Sequence, residues 1–159
     1  MSKLYYFAYG SNLHPARLRE RVASAQFVTR GFLPDWQLRF HKRSKDGSGK
    51  CNIVPGNTGV HVAVFDISAE DKIELDAIEG VGSGYVHLDL EVPGIGVCST
   101  YAAARTHIDE ALLPYSWYRE LVTLGAAAQG FPAQYVDTIA ATPCCEDPDE
   151  IRRRTNLRT

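Results

Sequence analysis

Two short stretches of this chain carry residue types that could do acid–base chemistry beside a bound anion. The first is Tyr9-Gly10-Ser11-Asn12-Leu13. It follows an apolar run in which Tyr5, Phe7 and Tyr9 alternate with Tyr6 and Ala8, as strand residues on opposite faces would. Gly10 lets the backbone approach a ligand with no side chain in the way. Ser11 and Asn12 suit a helix N-cap, and Pro15 suits an early helical position. A strand, a tight loop and a helix start together offer backbone N–H groups to a carboxylate or phosphate. The same residues also describe a plain turn before a capped helix.

The second stretch is Leu75-Asp76-Ala77-Ile78-Glu79-Gly80-Val81. Glu79 falls in the last turn of an expected helix, where the carbonyl ends disfavour a carboxylate. Asp76, three residues earlier, would add like-charge repulsion, and Leu75 makes that side apolar. All three influences raise a glutamate pKa above its free value of roughly 4.3, towards the range useful for proton exchange near neutral pH. The simpler alternative is a solvated glutamate at a helix end.

Other candidates are weaker. His14, His41, His61, His87 and His107 are scattered and form no ligand pair, so no metal site is expected. Ser11 lacks the G-x-S-x-G setting of a hydrolase nucleophile. Gly80-Val81-Gly82-Ser83-Gly84 follows a helix and precedes a strand, the reverse of a phosphate loop. Arg39, His41, Lys42, Arg43 and Lys45 lie near Trp36 and Phe40. With a formal charge of -2, that stretch fits a solvated strand end, or attraction of a small anion, better than nucleic acid. Tyr101 and Tyr118 read as core residues whose hydroxyls could reach a pocket, and Arg152-Arg153-Arg154 as a solvated helix face.

The elements that must position these groups follow from periodicity. Strands are expected at Lys3–Tyr9, Trp36–Phe40, Asn52–Val54, Val60–Asp66, Val86–Val92 and Gly96–Ala103. His41–Lys50 reads as a polar loop. Helices are expected at His14–Val22, Ser68–Glu79 (Ser68 as cap, Gly80 as stop), through Tyr118, Leu121, Val122 and Gly125 to near Gly130, and from Phe131-Pro132 to Ala140. From about Pro143 the chain is polar and apolar-poor, and reads as a surface segment or partly disordered tail. Strands joined mostly by short turns favour an α+β fold with a mixed, largely antiparallel sheet.

The 159 residues fit one domain, 1–159, with no repeat and no linker. No apolar run reaches the length of a membrane span, and Met1-Ser2-Lys3-Leu4 lacks a secretory pattern. Cys51, Cys98, Cys144 and Cys145 show no metal spacing and read as reduced thiols, so a cytoplasmic protein is expected.

Three segments together resemble the γ-glutamylcyclotransferase family of the AIG2-like and BtrG-like superfamily. Tyr6-Phe7-Ala8-Tyr9-Gly10-Ser11-Asn12-Leu13 is similar to its Y/F-x-A-Y-G-S-N-L signature. Leu75-Asp76-Ala77-Ile78-Glu79-Gly80-Val81, followed by Ser83-Gly84 and Tyr85, is similar to L-D-x-x-E-G-V. Tyr118 through Leu124-Gly125-Ala126 to Gly130-Phe131-Pro132 is similar to a helix ending in G-x-P. The resemblance implies a small mixed barrel with flanking helices, and an enzyme without cofactor or metal that acts on a small γ-glutamyl substrate. It assigns Glu79 as acid/base, the Gly10–Leu13 backbone to substrate binding, and Tyr9, Tyr85, Tyr101 and Tyr118 to the pocket. The implied reaction is attack of the substrate's α-amine on its γ-carbonyl, giving 5-oxoproline and a free amine. Removal of a γ-glutamyl protecting group from a pathway intermediate, as in BtrG-like relatives, and non-catalytic binding of acidic metabolites are the alternatives. No nucleic acid or membrane partner is expected, and the chain would act as a monomer or homodimer.

Overall fold

The structure is a computed structural model that describes residues 3–157. In chain order it contains β1 (Lys3–Ala8), a 3-10 turn (Ser11–Leu13), α1 (Pro15–Arg21), β2 (Gln26–Leu33), β3 (Trp36–Arg43), β4 (Gly49–Pro55), β5 (Val60–Ser68) and α2 (Ala69–Glu79). Then follow β6 (Tyr85–Val92), β7 (Gly96–Ala103), a second 3-10 turn (Arg105–His107), α3 (Ser116–Ala128), α4 (Ala133–Ala140) and α5 (Glu150–Leu157). Five strands form one sheet in the order β2-β5-β1-β7-β6, and β3 and β4 form a separate hairpin. Every named pairing is antiparallel except β1 with β7.

The α+β class and the largely antiparallel sheet agree with the sequence reading; the barrel is not closed. β2 and β6 remain the two edges of the five-stranded sheet. They converge at Gly31 of β2, where a Cβ would come within 2.6 Å of Val92 Cγ1 on β6. Side chains rather than a hydrogen-bonded ladder fill the seam, so the sheet curls without sealing.

β1 runs through the middle of that sheet. Tyr6, Phe7 and Ala8 are all buried, because both faces of the strand are covered. Phe7, Leu13, Val62, Val64, Ile67, Leu75, Leu121 and Val122 form the heart of the core.

α2 forms as its sequence dictates. Ser68 Oγ accepts from the Asp71 N–H at 3.1 Å, capping the helix behind its acidic first turn. Gly80, at φ +67°, ends it. The Gly80 N–H donates to the Ala77 carbonyl at 3.1 Å and the Val81 N–H to the Asp76 carbonyl at 3.0 Å, the Schellman pattern. Glu79 is thereby held as the last helical residue.

Three segments differ from expectation. β2 lies where no strand was expected: it is an edge strand with a bulge between Phe27 and Thr29, and its exposed Phe27, Val28 and Phe32 break any clean alternation. Half of the expected His41–Lys50 loop is ladder. β3 continues to Arg43 and pairs with Gly49 across a bulge between Arg39 and Lys42, so only the tip around Ser44–Ser48 turns. The segment after Pro143 is tied down. Asp147 is fully buried; it accepts from Trp117 Nε1 at 2.8 Å and takes Arg152 at 2.7 and 2.6 Å, which fixes α5 against α3.

Candidate active site

One partly open cavity gathers Tyr6, Tyr9, Gly10, Ser11, Asn12, Cys51, Glu79, Tyr85, Thr100, Tyr101 and Tyr118. It has about 40 Å³ of water-accessible space, room for only a few waters. A groove of about 680 Å³ between β3 and α4 is much larger, but its lining, which includes Arg39, His61 and Tyr135, has no carboxylate. Acid–base chemistry therefore points to the smaller cavity.

The turn after β1 supplies one wall. The Leu13 and His14 N–H groups donate back to the carbonyls of Gly10 and Ser11. The leading N–H groups of such a turn, those of Ser11 and Asn12, have no partner within it and are the ones a ligand can use. Leu13 lies outside the cavity: its side chain is fully buried in the core and anchors the turn from below. Gly10 is needed for a reason the sequence does not display. A Cβ there would fall 2.9 Å from Cys51 Cβ and 3.2 Å from its Sγ, so the close approach is to β4 rather than to a ligand. Gly125 of α3 performs the matching service behind the turn, since its Cβ would fall 2.6 Å from the His14 nitrogen. Gln129, which caps the same helix, donates from Nε2 to the Leu13 carbonyl at 2.9 Å.

Glu79 enters from the C-terminal end of α2, with its side chain 16% exposed. Asn12 Nδ2 donates to its Oε1 at 3.2 Å and to the Tyr6 hydroxyl at 3.0 Å. Arg21 lies 3.7 Å from the same Oε1 and donates to Asn12 Oδ1 at 3.2 Å. Burial pushes the Glu79 pKa above the ordinary carboxylate value; Arg21, the Asn12 amide, Lys42 and Arg17 pull against it. The expected repulsion from Asp76 has a different outcome. Asp76 Oδ1 accepts from Lys72 Nζ and from the Tyr101 hydroxyl, each at 2.5 Å. Its charge is thus taken up away from Glu79, and desolvation is the leading cause of the rise.

The tyrosines divide by what their hydroxyls do. Tyr9 donates to the Tyr101 carbonyl at 2.6 Å, Tyr85 to the Cys51 carbonyl at 2.7 Å, and Tyr101 to Asp76. Tyr118 accepts from the Cys51 N–H at 3.1 Å. Burial raises the pKa of all of them and of Tyr6, so they stay neutral. Burial likewise pushes the Cys51 thiol up to about 12, which leaves it unreactive as a thiolate.

The structure thus brings Tyr9, Gly10, Ser11, Asn12, Glu79, Tyr85, Tyr101 and Tyr118 into one cavity. Sequence reasoning missed Tyr6, Cys51, Thr100 and Arg21. Tyr6 could have been found from the unbroken apolar run Tyr6-Phe7-Ala8 at the end of β1, which signals burial on both faces there, and Arg21 from its i+4 spacing beyond Arg17 on α1. Among the described residues no group of three His, Cys, Asp or Glu side chains is placed to hold a metal ion, and no helix is long and apolar enough to cross a membrane. All four cysteines are free thiols.

Known proteins resemble this chain in sequence and in fold. The AIG2-like family profile matches residues 59–139. The γ-glutamylcyclotransferase of Homo sapiens is 31% identical over 147 residues, covering 86% of this chain and 77% of the human one. That of Mus musculus is 31% identical over 158 residues, covering 92% and 80%. A solved γ-glutamyl cyclotransferase superposes with a TM-score of 0.85 at 25% identity, covering 99% of this chain and 100% of the other. A chain with this sheet, this cavity and these relatives belongs to the AIG2-like family and, within it, to the γ-glutamylcyclotransferase enzymes.

Proposed function

We propose that the protein cyclises γ-glutamyl compounds, with Glu79 as the proton carrier. The observation that carries this reading is a single carboxylate, desolvated enough for burial to raise its pKa, inside the same small cavity as the Ser11–Asn12 N–H turn. The substrate's α-carboxylate would accept from that turn. Its α-amine, with a free pKa of about 8, arrives mostly as an ammonium ion. Glu79 takes one proton from it, and the freed nitrogen attacks the γ-carbonyl carbon to close a five-membered ring. The oxyanion that forms can accept from the Tyr6 hydroxyl, whose oxygen already holds the Asn12 amide and whose proton remains for donation. Collapse of that intermediate breaks the original amide C–N bond. Glu79 returns its proton to the departing nitrogen, takes the second proton that the ring nitrogen still carries and passes it to the freed amine, so that 5-oxoproline and an ammonium ion leave. Both reacting atoms belong to one tethered molecule, so holding them in place supplies much of the acceleration.

The test is a Glu79→Gln variant assayed against a panel of γ-glutamyl compounds, with 5-oxoproline read by mass spectrometry. Removing a general base lowers turnover by about two to four orders of magnitude. Turnover near that of the native protein in Glu79→Gln would reject the assignment. Free glutamate as product would instead mean hydrolysis.

A further inference from the structure

The β3–β4 hairpin contributes Cys51 to the cavity, yet it shares no ladder with the five-stranded sheet. Side chains make the junction at that end. The Tyr85 hydroxyl donates to the Cys51 carbonyl at 2.7 Å, and the Ala103 N–H donates to Asn52 Oδ1 at 2.8 Å. Ala103 stands opposite Tyr85 in the β6–β7 ladder, two residues beyond Tyr101. Asn52 follows Cys51, whose N–H donates to the Tyr118 hydroxyl at 3.1 Å. One amide side chain thus ties the strand that holds Tyr85 and Tyr118 to the strand that bears Tyr101.

Behind Asn52 stands His41 of β3, and both are buried. Asn52 Nδ2 lies 3.0 Å from His41 Nε2, and His41 Nδ1 lies 2.5 Å from Glu110 Oε1. The roles along this chain are fixed from its inner end. A backbone N–H can only donate, so the Asn52 atom facing Ala103 is the carbonyl oxygen. The atom facing His41 is then the NH2 group, which also can only donate. His41 Nε2 must accept, and an imidazole nitrogen that accepts carries no proton. The ring proton therefore sits on Nδ1, aimed at the Glu110 carboxylate. The segment after β7 holds the residue by its backbone as well: the Asp109 N–H donates to the His41 carbonyl at 2.9 Å. Arg39 pairs with the same Glu110 from the outer side.

We propose that His41 is a positioning residue for the tyrosine wall of the cavity: as the neutral Nδ1–H tautomer, oriented by Glu110, it fixes the Asn52 amide that joins β4 to β7. The proposal rests on the cyclisation reading above for its effect on substrate. Without an acceptor at position 41 the Asn52 NH2 group is buried and unpaired, and the amide gains by turning and releasing Ala103. The Cys51 backbone then shifts against the Tyr85 and Tyr118 hydroxyls. Substrate binding weakens, while the proton transfers at Glu79 proceed as before.

The tautomer can be read directly. Nitrogen-15 spectra of the histidine-labelled native protein at neutral pH should show His41, assigned by its loss in His41→Gln, with Nδ1 protonated and Nε2 bare. A protonated Nε2 overturns the proposal. Substitution then separates positioning from folding. His41→Gln places an amide oxygen near the Nε2 position, keeps an acceptor for Asn52 and should retain the native KM. His41→Leu removes the acceptor. Its KM for γ-glutamyl-alanine should rise about tenfold, as an unpaired buried donor provides, with kcat little changed. The Ala103 amide should also exchange faster with solvent. Lower stability with native KM and native Ala103 exchange would mean that His41 only fills space, and overturns the proposal. An equal rise of KM in both variants does the same. Should His41→Leu not fold, the native spectrum and the His41→Gln kinetics decide. If spectrum and Ala103 exchange behave as stated while the native protein releases no 5-oxoproline from any γ-glutamyl compound, the cyclisation reading fails and the placement of the tyrosine wall by His41 stands.

Discussion

At the scale of the residue, the proposed chemistry turns on how the surroundings of one carboxylate oppose each other. Burial lifts the Glu79 pKa, while Arg21, the Asn12 amide, Lys42 and Arg17 hold it down. A general base works only when deprotonated, so activity falls as pH drops through that pKa. The acid limb of kcat/KM should therefore lie above the ordinary carboxylate range. Arg21, the largest of the opposing influences, stabilises the charged form. Arg21→Met removes it and should move the acid limb to higher pH, with KM also rising because Asn12 loses a donor. An acid limb that stays in place, or moves down, would show that Arg21 does not act on the titrating group. Much of this was legible in the sequence, because Glu79 beside a C-terminal glycine is an unusual choice on helix-dipole grounds. Desolvation by neighbours from other elements was not, since it depends on side chains that meet only after folding. Asp76 illustrates the difference: spacing predicts repulsion, yet Lys72, Tyr101 and His87 draw its charge elsewhere.

At the scale of the element, the turn proposed to hold the substrate carboxylate is set by what packs behind it. Gly10 rests on Cys51 of β4, and Gly125 of α3 presses on the backbone of Leu13 and His14. Neither glycine has a positive φ, so both are required by contact rather than by conformation. Gly125→Ala would drive a methyl group into backbone that cannot rotate away. We expect a loss of about 1–3 kcal/mol in denaturant unfolding, as for an overpacked core, and a KM increase of about tenfold or more as the Ser11 and Asn12 N–H groups shift. A variant with native stability and native KM would mean that the turn is not braced from α3. The periodic helices and strands that hold these parts were readable, since α2, α3, α4, β5, β6 and β7 keep their apolar spacing and their stop signals. β2 and the inner end of the β3–β4 ladder, past Phe40 and before Asn52, were not, because bulges break period-two alternation and edge strands expose apolar groups on both faces. His41 shows the consequence: its imidazole is buried, bonded to Asn52 and Glu110, in what reads as a polar loop.

At the scale of the whole molecule, the last segment is a clamp rather than a loose end. A sequence of charges such as 146–154 gives little apolar signal, so its order rests on polar contacts that composition does not reveal, chief among them the buried Asp147–Arg152 pair. Arg152 and the Trp117 indole hold the Asp147 carboxyl well below the usual range. A carboxylate whose folded pKa is depressed adds stability that is present above its unfolded pKa, near 3.8, and lost as pH falls through the lower folded value. The clamp should thus hold at neutral and mildly acidic pH and open only in strong acid. Through α5 it also reaches the site, because Asn156 accepts from Arg17, and Arg17 is one of the cations acting on Glu79. Asp147→Asn removes the charge that Arg152 pairs with and leaves the volume unchanged. Hydrogen exchange should then speed up by at least tenfold across the α5 amides, while β1 and β5 remain protected, since local opening need not involve the central sheet. Trp117 fluorescence should change with it, because the indole loses an ionised acceptor. Exchange that rises equally in β1 and α5 would mean that the helix opens only with the whole fold, and the clamp would then have no separate existence.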